Sequence, residues 1–257
     1  MNLELSGKTA LISGASAGIG ASIARKMAAE GVNLILVART ESKLEGVRAS
    51  ILASLSGEVP DIEIACCDLS DSKAIDLLAS RFSHIDILVN NAGAVPAGDM
   101  FEVDEERWRA GWDSKVFPYI HMCRRYYPLL KANGGGVIVN ILGNGSLLMT
   151  FEYICGGMGN AALDFFTRTV GAHSPADNIR VLGVSPGPVN TERYQKIAES
   201  RMARSGVARK TPFDRIATPE EVAEMVTFLA SPRCAYVSGS IHVIDGGLSV
   251  AKQETGV

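Results

Sequence analysis

The sequence predicts a doubly wound α/β fold, a parallel sheet covered by helices on both faces. Apolar runs of strand length alternate with segments of helical period along the whole chain. The runs are apolar at successive positions, as strands buried on two faces must be, and a glycine-rich turn joins the first run to the first helical segment. No repeat, low-complexity segment or Pro/Gly/Ser linker divides the 257 residues, so one domain spanning 1–257 is expected.

Lys8 to Ser13 reads as the first buried strand, followed by a helix from Gly18 to Glu30 that Gly31 ends. Asn33 to Ala38 is the second strand, and a charged helix from Glu41 to Ser56 follows. Ile62 to Cys66 is the third strand; the next helix, Ser70 to Arg81, has Ser70 or Asp71 as its cap. Ile85 to Asn90 is the fourth strand. A long helical stretch then runs to Ala132, where Gly134, Gly135 and Gly136 break it before a fifth strand at Val137 to Leu142. A helix over Gly157 to Ser174 leads to the strand Ile179 to Ser185. Pro219, at the first turn of a helix capped by Thr218, opens the segment to Ala230, and Ser240 to Asp245 is the seventh strand.

Composition narrows the function classes. With 47% hydrophobic and 21% charged residues the chain is an ordinary globular sequence rather than a disordered one. A net charge of −3 gives no electrostatic reason to expect nucleic acid or a membrane surface as partner. The five cysteines are odd in number and contain no Cys-x-x-Cys, and the histidines are scattered, so neither a disulfide framework nor a metal site is expected. A reducing, cytoplasmic setting follows as the expectation. The N-terminal run carries Glu4 and leads into a turn, which reads as a strand rather than a signal peptide, and no apolar run approaches a membrane span.

The turn Gly14-Ala15-Ser16-Ala17-Gly18-Ile19-Gly20 lies between the first strand and the first helix. Glycine permits the sharp bend and lets a pyrophosphate approach the backbone, while the helix N-terminus offers unpaired N–H groups and the positive end of its dipole. In this context a dinucleotide is the expected ligand. Further motifs follow in order: Asp68-Leu69, Asn90-Asn91-Ala92-Gly93, Pro186-Gly187-Pro188-Val189-Asn190-Thr191, and Ser238-Gly239 with Asp245-Gly246-Gly247. Together they resemble the short-chain dehydrogenases/reductases over essentially the full length.

The resemblance implies a Rossmann sheet in three α/β/α layers, strand order 3-2-1-4-5-6-7, and a homodimer or homotetramer built partly from the long helices beside the fifth strand. It also implies that Gly14, Ser16, Ala17, Gly18, Ile19 and Gly20 hold the pyrophosphate and that Asp68 and Leu69 contact the adenine. Asn90, Asn91, Ala92 and Gly93 would shape the adenosine-ribose side, and Pro186, Gly187, Val189 and Thr191 the nicotinamide side. At the end of the second strand stand Ala38 and Arg39 where an acid would select NAD(H). A guanidinium there suits a 2′-phosphate, so NADP(H) is expected over NAD(H).

The family's proton-transfer apparatus is a tyrosine, a lysine four residues on, a serine and an asparagine. Alignment on neighbouring landmarks puts Gly156 at the tyrosine, Asn160 at the lysine, Gly143 or Asn144 at the serine and Lys115 at the asparagine. Glycine donates no proton, and an amide lacks the lysine's charge. Tyr153 stands three residues before Gly156 and, if its helix begins a turn early, shares one stripe with Gly156 and Asn160. The sequence therefore suggests a rebuilt site: Tyr153 as acid/base, Lys115 assisting, Asn144 or Ser146 polarising the substrate oxygen, and Asn160 holding the nicotinamide ribose.

Residues 191–211 correspond to the segment that folds over the substrate in the family, and Glu192 to Lys210 carry a net +4, which would suit an acidic substrate. The leading reading is an NADP(H)-dependent oxidoreductase interconverting a small-molecule carbonyl and alcohol with a non-standard proton donor. The other is a dinucleotide-binding protein without hydride transfer: a sensor, a partner subunit or an enzyme of non-redox chemistry.

Overall fold

A computed structural model describes residues 1–57, 59–205 and 211–251 of the chain. Residues 206–210 of the expected lid, with Arg209 and Lys210, lie outside the described residues.

Strands whose neighbours are all apolar have nowhere to go but the middle of a sheet. The interior five are β1 (Thr9–Ser13), β2 (Asn33–Ala38), β4 (Ile87–Asn90), β5 (Gly136–Ile141) and β6 (Ile179–Pro186), and nearly every residue in them is buried. The edges are β3 (Ile62–Cys66) and β7 (Ile241–Ile244), both only partly covered. All pairings are parallel, in the order β3-β2-β1-β4-β5-β6-β7. The chain therefore reverses its direction of travel between β1 and β4, and the crevice beyond the strand ends at that reversal is where such sheets receive ligands.

Alternation along each strand sends side chains into two separate cores. Ala10 and Ile12 of β1 and Leu34 and Leu36 of β2 enter one, with α1 (Gly18–Ala29), α2 (Glu41–Ser54) and Val222, Val226 and Leu229 of a later helix. Leu11, Ile35 and Val37 enter the other, against α3 (Ser72–Arg81) and Met122, Tyr126 and Leu130 of the long helix α4 (Glu105–Ala132). The helix over 219–230 begins on a full capping box: the Thr218 hydroxyl accepts from the Glu221 amide, and the Glu221 carboxylate accepts from the Thr218 amide at 2.8 Å. Asp71, rather than Ser70, caps α3, its carboxylate accepting from the Lys73 amide.

Two differences from the expected elements matter at the site. A short helix α5 (Gly145–Leu148) follows β5, and α6 (Ile154–His173) starts at Ile154 instead of Gly157. The early start has a local cause. The Gly157 amide donates to the Tyr153 carbonyl at 2.8 Å, and residue 153 is tied from the other side by a bridge to Gly98. Among the described residues the remaining α-helices are α7 (Glu192–Ser205) and α8 (Pro219–Ala230). Of the paired phenylalanines on α6, Phe166 packs into the second core while Phe165 stays 74% exposed. Among the described residues no helix is long and apolar enough to cross a membrane.

Candidate active site

The glycine turn is locked from behind by the strand that pairs with β1. The Ser13 hydroxyl accepts from the amides of Asn91 and Ala92, and Asn91 Nδ2 donates to the carbonyls of Ser13 at 3.0 Å and Gly14 at 3.2 Å. This packing leaves no room for side chains. A Cβ on Gly14 would lie 2.9 Å from Ala92 Cα, and one on Gly20 would lie 2.3 Å from the Gly14 carbonyl oxygen. Ala17 precedes α1 and has no side-chain oxygen to cap it, so the first-turn N–H groups of the helix stay available. Bare backbone, an uncapped helix start and glycines that cannot be replaced are what a pyrophosphate requires, and the residues fit a dinucleotide.

The other nucleotide-side residues divide by exposure. Arg39 and Asp68 are exposed at the ends of β2 and β3. The Asp68 carboxylate accepts from the Ser70 amide and hydroxyl, and these bonds, with the charge of Arg39, hold its pKa below the usual carboxylate value. Leu69 is buried in the second core, so only its edge is left to meet a ligand. Asn90 belongs to an internal polar chain: its Nδ2 donates to Asn140 Oδ1 at 2.9 Å, and Asn140 Nδ2 donates to Thr167 Oγ1 at 2.9 Å. The carbonyl of Pro186 accepts from the Asn144 amide, and Gly187 packs so closely on Asp245 that a Cβ would come within 2.6 Å. Val189 is buried and bridges to Ala217, which anchors the start of the segment over the site. The Thr191 hydroxyl accepts from the Tyr194 amide at 3.2 Å, holding the first turn of α7.

Lys115 and Asn160 come together across α4 and α6. Lys115 is buried, and its Nζ donates to Asn160 Oδ1 at 2.9 Å and to the Leu142 carbonyl at 3.0 Å. Burial, and secondarily the charge of Arg193, push its pKa down to about 7. The two acceptors match the two N–H groups of a neutral amine, whereas an ammonium brings a third. Accepting from Lys115 also fixes the orientation of the Asn160 amide, turning its Nδ2 towards Gly143 and Gly145.

Tyr153 fills the space left by Gly156. A Cβ on Gly156 would fall 2.2 Å from Tyr153 Cζ and 2.6 Å from its hydroxyl oxygen, so the phenol stands over the helix position itself. On its other side a Cβ at Gly145 would touch the same ring at 3.1 Å and Asn160 Nδ2 at 3.3 Å. Burial raises the phenol's pKa, and the charge of Arg193 acts in the opposite direction.

Three details depart from the expected roles. The partners of Lys115 are Asn160 and Leu142, so its amine is bonded to the amide and a backbone carbonyl and not to Tyr153. The Asn144 side chain is turned to Asp245, Nδ2 donating to Oδ2 at 3.2 Å, because that carboxylate gathers the Gly247 and Ser249 amides beside it. Ser146 is half-buried on α5. Arg193 was legible only as one of several basic residues after Thr191; on the first turn of α7 it stays exposed, and its guanidinium donates to the Gly93 carbonyl.

A family model described as Enoyl-(Acyl carrier protein) reductase matches residues 14–249. The chain belongs to the short-chain dehydrogenase/reductase family of NAD(P)-dependent oxidoreductases. It is 31% identical over 250 residues to L-xylulose reductase of Bos taurus, covering 96% of this chain and 98% of that one. It is also similar to the crystal structure of L-sorbose reductase from Gluconobacter frateurii complexed with NADPH and L-sorbose, at 30% identity and a TM-score of 0.88, covering 98% and 100% of the two chains. A 7α-hydroxysteroid dehydrogenase complexed with NADH and 7-oxo glycochenodeoxycholic acid is 29% identical with a TM-score of 0.84, covering 96% of each chain.

Proposed function

We propose that the protein interconverts a small-molecule carbonyl and its alcohol with NADP(H), using Tyr153 as the acid/base. The observation that carries this reading is the position of the phenol over Gly156, the helix position that aligns with the family's tyrosine. A bound nicotinamide supplies or takes up the hydride. In reduction Tyr153 gives its hydroxyl proton to the substrate oxygen as that oxygen becomes an alcohol; in oxidation the phenolate takes it back. Lys115 acts through Asn160, whose oriented Nδ2 is free to donate to a ribose or substrate oxygen. Asn144, just after β5, and Ser146, on α5, are the donors proposed for the substrate oxygen, Asn144 through its second amide N–H.

The preference for NADP(H) rests on Arg39, exposed where a 2′-phosphate would lie, with no acid at the end of β2. Gly14, Ser16, Ala17, Gly18, Ile19, Gly20, Asp68, Leu69, Asn91, Ala92, Gly93, Pro186, Gly187, Val189 and Thr191 are the proposed cofactor shell. The 191–211 segment is read as a lid on a single dinucleotide-binding domain. Exposed Phe117, Met158 and Phe165 on α4 and α6 favour a homodimer or homotetramer through those helices.

Fluorescence titration with NADPH and NADH, paired with turnover of an aldehyde, ketone and keto-thioester panel, tests the reading. NADPH binds tighter than NADH, Arg39→Ala removes most of that difference, and Tyr153→Phe loses on the order of 10²-fold in turnover without losing NADPH affinity. Parent-like turnover by Tyr153→Phe refutes the acid/base assignment. Tight NADPH binding with no turnover of any carbonyl favours the binding-protein reading.

A further inference from the structure

Single apolar side chains in water need no explanation, but several gathered at one place do. Exposed Met100, Phe101, Leu147, Met149, Phe151 and Phe213 lie on three loops that meet around Tyr153. The loop after β4 runs beside the segment after α5. Gly98 bridges to residue 153, its amide donates to the Glu152 carbonyl at 2.9 Å, and the rings of Phe101 and Phe151 meet edge to face with centroids 6.4 Å apart. Leu147 stands on α5, which begins at Gly145, where a Cβ would touch the Tyr153 ring at 3.1 Å. That helix ends on Met149 in a left-handed conformation, φ 46°, and the Tyr153 amide then donates back to the Thr150 carbonyl at 3.1 Å. The third loop closes the circuit: a Cβ on Gly246 would lie 3.0 Å from the Phe213 ring, and the preceding residue, Asp245, is the partner of Asn144.

Polar groups on these loops serve the loops themselves. The Asp99 carboxylate accepts from the amides of Phe101 at 2.8 Å and Glu102 at 2.9 Å, and no charged residue occurs from Asn144 to Phe151. Glu152 adjoins the rim with its side chain in water. Phe101 is 80% and Met149 87% exposed. Such side chains add little to the stability of the fold, and one of them sits on a backbone that methionine rarely adopts, so their placement points to a ligand.

We propose that these side chains form an apolar rim to the active site, and that the substrate is a carbonyl compound, or its alcohol, with an alkyl or aryl body rather than a polyhydroxylated one. This rests on the reading of the Tyr153 pocket as the place where the carbonyl reacts. The reacting oxygen goes to the phenol while the body lies across Phe101, Phe151 and Met149, two rings and a flexible thioether that accept flat or bent apolar groups. Taking that body out of water favours binding in proportion to the area covered. A polyol laid on the same surface exchanges water for side chains without hydrogen-bonding groups, which costs free energy.

The test is calorimetric titration of the full chain, saturated with the oxidised nucleotide it binds more tightly, with straight-chain 2-ketones of four to ten carbons. Ketone and nucleotide are both oxidised, so no hydride passes and binding alone is read. Affinity rises about twofold to fourfold with each methylene, fourfold being the full burial of a CH2. Phe101→Ser combined with Phe151→Ser removes most of that increment, the corresponding double leucine variant keeps most of it, and Leu77→Ser, exposed on α3, leaves it unchanged. A ketohexose binds the parent no more tightly than the double serine variant. Affinity independent of chain length, an equal increment in the parent and the double serine variant, or an equal loss in Leu77→Ser overturns the proposal. So does a double serine variant that changes oligomeric state in sedimentation and keeps the ketone increment, since the rim then covers a second copy of the chain. The titration involves no turnover, so it separates the two ideas. An increment lost in the double serine variant, with full activity in Tyr153→Phe, removes the acid/base assignment alone; a missing increment with an inactive Tyr153→Phe removes the apolar substrate alone.

Discussion

Replacing Lys115 by methionine should change how stability depends on pH, and the direction follows from its burial. In the unfolded chain the amine titrates near its ordinary value of 10.5; in the folded protein burial brings it to about 7. Between those values the unfolded state binds more protons, so folding stability rises with pH across that window. Below pH 7 the cost of housing or discharging the ammonium is fully present; above 10.5 it is gone. The slope is at most about 1.4 kcal/mol per pH unit. Over the roughly 3.5 units of the window the change is therefore about 5 kcal/mol as an upper value. Lys115→Met abolishes this dependence but leaves Asn160 Oδ1 and the Leu142 carbonyl without their donor, a loss of about 1–3 kcal/mol for each buried acceptor. At pH 7 the two effects oppose each other and the variant lies close to the parent. By pH 9 the parent gains on it by about 2–3 kcal/mol. Urea denaturation of both proteins at pH 7, 8 and 9 measures the difference, in which titrations common to the two cancel. A stability difference that stays constant with pH would refute a buried, deprotonating Lys115.

Two glycine substitutions test the site from opposite ends. Gly156→Ala adds a methyl where the Tyr153 ring already lies, with only 2.2 Å to Cζ, so the phenol must move. Turnover falls at least tenfold while NADPH affinity stays within a factor of about two, although alanine is the better helix former by about 1 kcal/mol; steady-state kinetics beside a binding titration distinguish the two. Gly20→Ala drives its methyl into the Gly14 carbonyl at 2.3 Å and Asn91 Nδ2 at 2.5 Å. That variant loses nucleotide binding more than tenfold and about 2–3 kcal/mol of stability by overpacking, read by calorimetric titration and thermal unfolding.

What the amino-acid sequence determined by itself is the framework. Residue-by-residue apolarity in Asn33–Ala38 marks a strand whose observed limits agree with the pattern, because burial on two faces leaves no alternative for such a run; Ile62–Cys66, an edge strand interrupted by the exposed Glu63, keeps its expected limits as well. Thr218, Pro219 and Glu221 declare a helix start in four consecutive positions, and the glycine turn between β1 and α1 stands where the pattern puts it. These signals are local, spanning a turn or two of chain. The chemistry of the pocket is not local. Lys115 meets Asn160 across 45 residues, Arg193 meets Gly93 across 100, and Asn144 is drawn to Asp245 across 101. Spacing along the chain places Tyr153 and Gly156 on one stripe, but that the ring folds back over the glycine depends on α6 starting at Ile154 and on Gly98 holding residue 153. Helix packing decides such meetings through excluded volume and the need of each buried donor for an acceptor, and neither constraint is written in the periodicity of any single element.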